Sequence, residues 1–71
     1  MPVLSGKELC RALENIGYLI DHQTGSHLIV RNQVFPYRRL TIPNHKEIAK
    51  GTLRAILRQA GMAKEELLRL I

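Results

Sequence analysis

The chain has one cysteine in 71 residues, Cys10, so no internal disulfide can staple it. Nothing at its start reads as a secretory signal, and with the lone thiol this predicts a cytoplasmic protein. Cys10 falls in a helical pattern with no acid–base motif around it, which makes it a packing or surface thiol rather than a nucleophile. No apolar run approaches the roughly 20 residues of a membrane span, so no membrane partner is expected. His22, His27 and His45 lie far apart in sequence and the cysteine has no companion at ligand spacing, so no metal site is expected. Gly25-Ser26-His27 is not a nucleophile elbow, and one glycine does not make a phosphate-cradling loop. Protease and nucleoside-triphosphatase readings therefore lack support. Internal repeats and low-complexity tracts are missing too.

What is present is a short chain with ordinary apolar content, 45%, which argues against disorder. Its length predicts one domain over residues 1–71, near the lower limit for folding without staples. The net charge of +5 is unevenly spread. The 22-residue stretch Tyr37–Arg58 holds six basic residues (Arg38, Arg39, Lys46, Lys50, Arg54, Arg58) and one acid, Glu47. The rest of the chain is neutral, so this stretch carries the whole excess. Such a concentration suits a polyanion, nucleic acid first. The alternative is a solvated surface that keeps the protein soluble.

The pattern predicts an α+β fold in the order α-β-β-β-α with a short extra C-terminal helix. Ser5-Gly6-Lys7-Glu8 fits a capping box, and Leu4 and Leu9 fit a hydrophobic staple. Leu9, Ala12, Leu13 and Ile16 then make one apolar face, with Gly17 as the stop. Strands are expected over Tyr18–Gln23, His27–Arg31 and Tyr37–Ile42, with turns at Thr24-Gly25-Ser26 and Asn32–Pro36. Short links make them antiparallel. Alternation places Leu28, Val30, Leu40 and Ile42 toward the core. His27, Ile29, Arg31, Arg39 and Thr41 take the other face. The second helix is expected from about Lys50 to Ala60, with Leu53, Ile56, Leu57 and Ala60 inward. Lys50, Arg54 and Arg58 form a solvent flank. Gly61 ends that helix. Ala63 to Ile71 forms the last one, with Leu67, Leu70 and Ile71 packing back.

His27 stands where a turn becomes a strand. Histidine both takes and gives a proton near neutral pH. RNA cleavage needs no cofactor: a base takes the 2′-hydroxyl proton, an acid protonates the departing 5′-oxygen, and cations stabilise the added negative charge. His27 fits either proton role, and Arg31, Arg39 or Lys50 could hold the phosphate. The competing reading has His27 bonding a backbone carbonyl and only capping the hairpin. His45, after Pro43-Asn44, is a second acid–base candidate or a loop residue. His22 has no supporting context. The basic stretch would also serve an RNA-binding module that does not cut, which has no need for His27. A DNA-reading second helix is disfavoured, because helix-turn-helix proteins place two helices directly in succession.

Three segments in fixed order resemble the HicA-type messenger-RNA interferase toxins (YcfA-like family). They are Gly17-Tyr18 with Gly25-Ser26-His27, then Leu40-Thr41-Ile42-Pro43-Asn44-His45, then Lys50 to Gly61. The resemblance covers essentially the whole chain, and the third segment is its most specific part. It implies a double-stranded-RNA-binding-domain fold, with three antiparallel strands packed on two helices. It also implies cleavage of messenger RNA, with inhibition by a HicB-type antitoxin. The family's catalytic histidine matches His27. The expected RNA-binding set is Lys7, Gly25, Ser26, Arg31, Arg39 and Lys50. Two departures stand out. Leu28 replaces a second histidine that the family often has there. The hairpin Asn32–Tyr37 is apolar at its tip rather than polar and glycine-containing, and Val34, Phe35 and Tyr37 offer a contact surface for a partner.

Overall fold

The computed structural model describes residues 2–71. The elements are α1 (Gly6–Glu14), β1 (Tyr18–Thr24), β2 (His27–Asn32), β3 (Arg39–Pro43), α2 (Lys50–Ala60) and α3 (Lys64–Leu70). The order matches the α+β expectation. The strands form one antiparallel sheet in the order β1-β2-β3.

The capping box forms as its residues dictate. The Glu8 amide donates to Ser5 Oγ at 3.1 Å, and the Ser5 amide donates to Glu8 Oε1 at 2.9 Å. These bonds hold the Glu8 carboxyl below its ordinary range, the backbone bond at Ser5 first. At the other end the amides of Asn15, Ile16 and Gly17 bond the carbonyls three residues back. That tighter winding ends α1 at Glu14, and Gly17 turns the chain away with φ of +97°. Ile16 therefore leaves the apolar stripe expected of it and is more than a third exposed.

One face of the sheet builds the core. Tyr18, Leu28, Val30, Leu40 and Ile42 pack with Leu9, Ala12 and Leu13 of α1, Leu53, Ile56 and Leu57 of α2, and Leu67 of α3. Cys10 joins them as a packing residue, and burial pushes its thiol pKa up, away from reactivity. Several element boundaries differ from expectation. β3 begins at Arg39, not Tyr37, because Tyr37 has φ of +58° and its amide closes a turn onto the Val34 carbonyl at 2.8 Å. β1 and β2 each run one residue further than expected. Ile71 lies beyond α3 and is 54% exposed, while Leu70 is partly buried.

The segment between β3 and α2 is tied down at three points. The Asn44 amide donates to the Ser26 carbonyl at 2.7 Å, the Gly6 amide to the His45 carbonyl at 2.9 Å, and the Ile48 amide to the Leu4 carbonyl at 2.8 Å. Gly6 is buried here, so α1 begins hard against this segment. A Cβ on Gly6 would run into the Pro43 carbonyl oxygen, which is backbone and cannot step aside. Gly6→Ala is expected to cost about 1–3 kcal/mol through overpacking. In a chain this size that lowers the melting temperature by roughly 4–8 °C per kcal/mol, readable by circular dichroism. A melting temperature equal to that of the parent would show that the contact yields freely.

Candidate active site

The face of the sheet away from the helices is built by register. Thr24, His27 and Pro43 lie side by side across the three strands, followed by His22, Ile29 and Thr41, then Leu19, Arg31 and Arg39. Directly opposed residues share a face. A β-bulge between Ile20 and His22 leaves Asp21 as the extra residue and brings His22 onto this outer face, opposite Ile29. Ile29 is 6% exposed although it lies on the side away from the core.

His27 is exposed at the first position of β2, just after the turn. Gly25 supplies that turn's left-handed φ of +58°, and no atom lies within 4 Å of where its Cβ would be. Its role is therefore conformational. Ser26 spends its carbonyl on Asn44. Beside His27 opens a groove of about 420 Å³, lined by His27, Thr41, Pro43, His45, Glu47, Ala49 and Thr52. The fold thus brings His45 to His27, across 18 residues of sequence. Lys7 is exposed in the first turn of α1, next to the glycine that holds the His45 carbonyl. Lys50 is exposed at the start of α2, next to the groove residue Ala49.

Arg31 and Arg39 stand elsewhere. They face each other four positions along β2 from His27, about 13 Å away at roughly 3.3 Å per residue. The outer face is therefore divided, with histidines and a groove at one end and two arginines at the other. Like charges opposed across a sheet repel. Asp21 offsets part of this: its carboxyl pKa is lowered first by a hydrogen bond from His22 (2.8 Å), with smaller contributions from His22, Arg31 and Arg39 charges. Among the described residues, His22–Asp21 is the only contact within 4 Å between a basic side chain and a carboxylate. The arginines and lysines of the basic stretch are left without carboxylate partners at that distance. Arg38 is the exception in function: its guanidinium donates to the Gln59 carbonyl at 2.9 Å and packs against Gly61, tying the β2–β3 loop to the end of α2.

Sequence reasoning missed the Asp21–His22 pair, because nothing local announces a bulge. It also missed Glu47 and Thr52, whose place depends on how α2 docks. Among the described residues, no helix is long and apolar enough to cross a membrane.

The element order, the single antiparallel sheet and the helices on one face define a small α+β protein of the double-stranded-RNA-binding-domain type, with a histidine-lined groove beside unpaired cations. The family model described as the HicA toxin of bacterial toxin-antitoxin matches residues 6–62, and the chain belongs to that family. The match spans both α1 and α2 and ends at Met62, just past the glycine that stops α2. No curated protein gives a significant match. Membership assigns a toxin role and implies an antitoxin partner.

Removing the His22 ring should raise the Asp21 pKa toward the ordinary aspartate range. The sign follows from the lost hydrogen bond, which favours the charged carboxylate; the stability that the lowered pKa contributes is present above the unfolded value and lost as pH falls through the folded one. Carboxyl-carbon NMR titration of the parent and of His22→Ala checks this. An Asp21 midpoint that does not move would assign the lowering to the arginines instead.

Proposed function

We propose that the protein is an endoribonuclease that cleaves messenger RNA, with His27 transferring a proton and a HicB-type antitoxin holding it inactive. The observation that carries this reading is the exposed His27 on the wall of an open groove, on a face whose cations have no carboxylate partners. An imidazole there reaches solvent and substrate alike. Attack of a 2′-hydroxyl on the adjacent phosphorus needs a proton removed and a proton supplied, and an imidazole is chemically able to do either. Lys7 and Lys50, exposed next in sequence to Gly6 and to the groove residue Ala49, would attract the phosphate being cut. Arg31 and Arg39 would hold the backbone further along the strand. Gly25 and Ser26 shape the turn past which RNA must run.

The same geometry suits silencing by cover. A protein laid over the outer face would occlude His27 and meet the arginines with acidic groups. Val34, Phe35 and Tyr37 are 63%, 80% and 55% exposed, and the rings of Phe35 and Tyr37 pack edge to face. They stand on the loop at the arginine end of the sheet and would anchor the HicB-type partner there. Residues 1–71 would act as one unit in the cytoplasm, where messenger RNA is translated.

Two outcomes test this reading. Induced expression should arrest growth and deplete full-length messenger RNA, and a folded His27→Ala protein should do neither. A folded His27→Ala protein of equal toxicity would leave RNA binding without cleavage as the function. Affinity for an RNA oligonucleotide should fall linearly with salt on logarithmic axes, because cations displace counterions from phosphates. Arg39→Ala should reduce the slope by about one. An unchanged slope would remove Arg39 from the RNA path.

A further inference from the structure

We propose that His45 is the second catalytic residue, and that His27 and His45 divide the two proton transfers of RNA cleavage between them. The inference rests on the endoribonuclease reading above and extends it. In the reaction a lone pair of the 2′-oxygen forms a bond to phosphorus while the bond from phosphorus to the 5′-oxygen breaks. One imidazole takes the proton of the 2′-hydroxyl. The other, protonated, gives its proton to the departing 5′-oxygen. The products are a 2′,3′-cyclic phosphate and a 5′-hydroxyl. The two histidines end with exchanged protonation states, which solvent resets, and no oxidant or other co-reactant is consumed.

The geometry explains why one histidine is insufficient. Attacking and leaving oxygens lie roughly in line on opposite sides of the phosphorus. A single imidazole beside one of them is badly placed for the other. The groove offers a second imidazole, because His45 lines it together with His27. His27 stands directly across from Pro43, and His45 follows two residues later, on the same groove wall system. His45 is also held firmly. Its carbonyl accepts the Gly6 amide, and the amide of the preceding residue is bonded to Ser26, in the turn that carries His27. The same backbone bonds thus fix both histidines relative to each other, which is the preorganisation that paired proton transfer requires.

The other candidates fit less well. His22 is bonded to Asp21 and does not line the groove. Glu47 does line it, and its negative charge would repel a phosphate placed beside it. The titratable groups that line the groove with His45 are His27 from β2 and Glu47 from its own segment; Lys46 adjoins it in sequence, and Lys7 and Lys50 are exposed in the first turns of α1 and α2. Strand β2 offers only one imidazole, because the next residue, Leu28, is buried in the core.

The test is single-turnover cleavage of an RNA oligonucleotide by the purified chain across pH 5–9, with folding of each variant checked by circular dichroism. Wild type should give a bell-shaped profile. His45→Ala and His45→Gln should each lower the rate by about 10²- to 10⁴-fold and lose one limb of the bell. Every such variant keeps the backbone carbonyl that holds Gly6. His22→Ala should keep both limbs. The second arm uses RNA in which sulfur replaces the bridging 5′-oxygen, so that the leaving group departs without a proton. Of His27→Ala and His45→Ala, the variant lacking the acid should recover to near the wild-type rate on that substrate, and the other should not. His45 variants that cut at the wild-type rate with both limbs intact would overturn the pairing and leave the endoribonuclease reading standing. So would loss of a limb in His22→Ala, or failure of the sulfur substrate to rescue either variant. A wild-type chain that cuts no RNA would overturn the endoribonuclease reading itself, and the pairing with it.

Discussion

The molecule depends on one contact between two stretches of backbone: the amide of Gly6 bonded to the carbonyl of His45, with no side chain between them. Only glycine lets the start of α1 come so close. The contact seats the N-terminal turn of α1 against the exit of β3. Leu4, two residues before Gly6, and Ile48, three residues after His45, continue it, and both side chains are buried in the same core. Helix α2 starts at Lys50, two residues after Ile48, so its position over the sheet descends from the same bond. The groove exists because this exit segment is drawn toward α1 and the β1–β2 turn at once.

The outer face of the sheet obeys a second constraint, the bulge at Asp21. Had the register of Ile20 with Val30 run on unbroken, Asp21 would pair with Ile29 and His22 would fall on the core side, opposite Leu28. The bulge instead sends His22 outward and sets a carboxylate near two opposed arginines. A face carrying Arg31 and Arg39 in register is electrostatically costly on its own, and Asp21 relieves part of that cost. What remains is a surface ready for an anion at one end and for proton transfer at the other. The endoribonuclease proposal assigns these two tasks to places separated by some 13 Å of strand.

Two places where the chain departs from the usual family pattern become intelligible in this frame. Leu28 occupies a core position, so a histidine there would be buried among Val30, Ile42 and the helices rather than offered to substrate. The β2–β3 loop ends in exposed Val34, Phe35 and Tyr37, yet its base is firmly built. Asn32 bonds the Ile16 carbonyl and the Val34 amide, Gln33 bonds Gly17, and Arg38 reaches Gln59. An apolar tip on a rigid base presents contact area without a large ordering cost when a partner binds.

Much of the fold was legible in the residues themselves. The capping box, the two glycine stops, the bounds of α2, and the inward placing of Leu28, Val30, Leu40 and Ile42 all follow from local chemistry and periodicity, which act within a few residues. Three local signals were overruled. Ile16 fits the helical stripe but falls past a tightened turn, Tyr37 reads as strand but takes a left-handed turn, and Ile71 lies past the end of its helix. In each case tertiary or turn geometry outweighed the side chain's own preference. Of the candidate site, the sequence by itself marked His27, through its place after Gly25-Ser26, and the concentration of positive charge from Tyr37 to Arg58. It left His45 undecided and the arginines unplaced. Only the tertiary structure decided that His45 joins His27 while Arg31 and Arg39 stand apart. That outcome depends on strand register, a one-residue bulge and a backbone contact at Gly6, and none of these is a property of the residues adjoining the site.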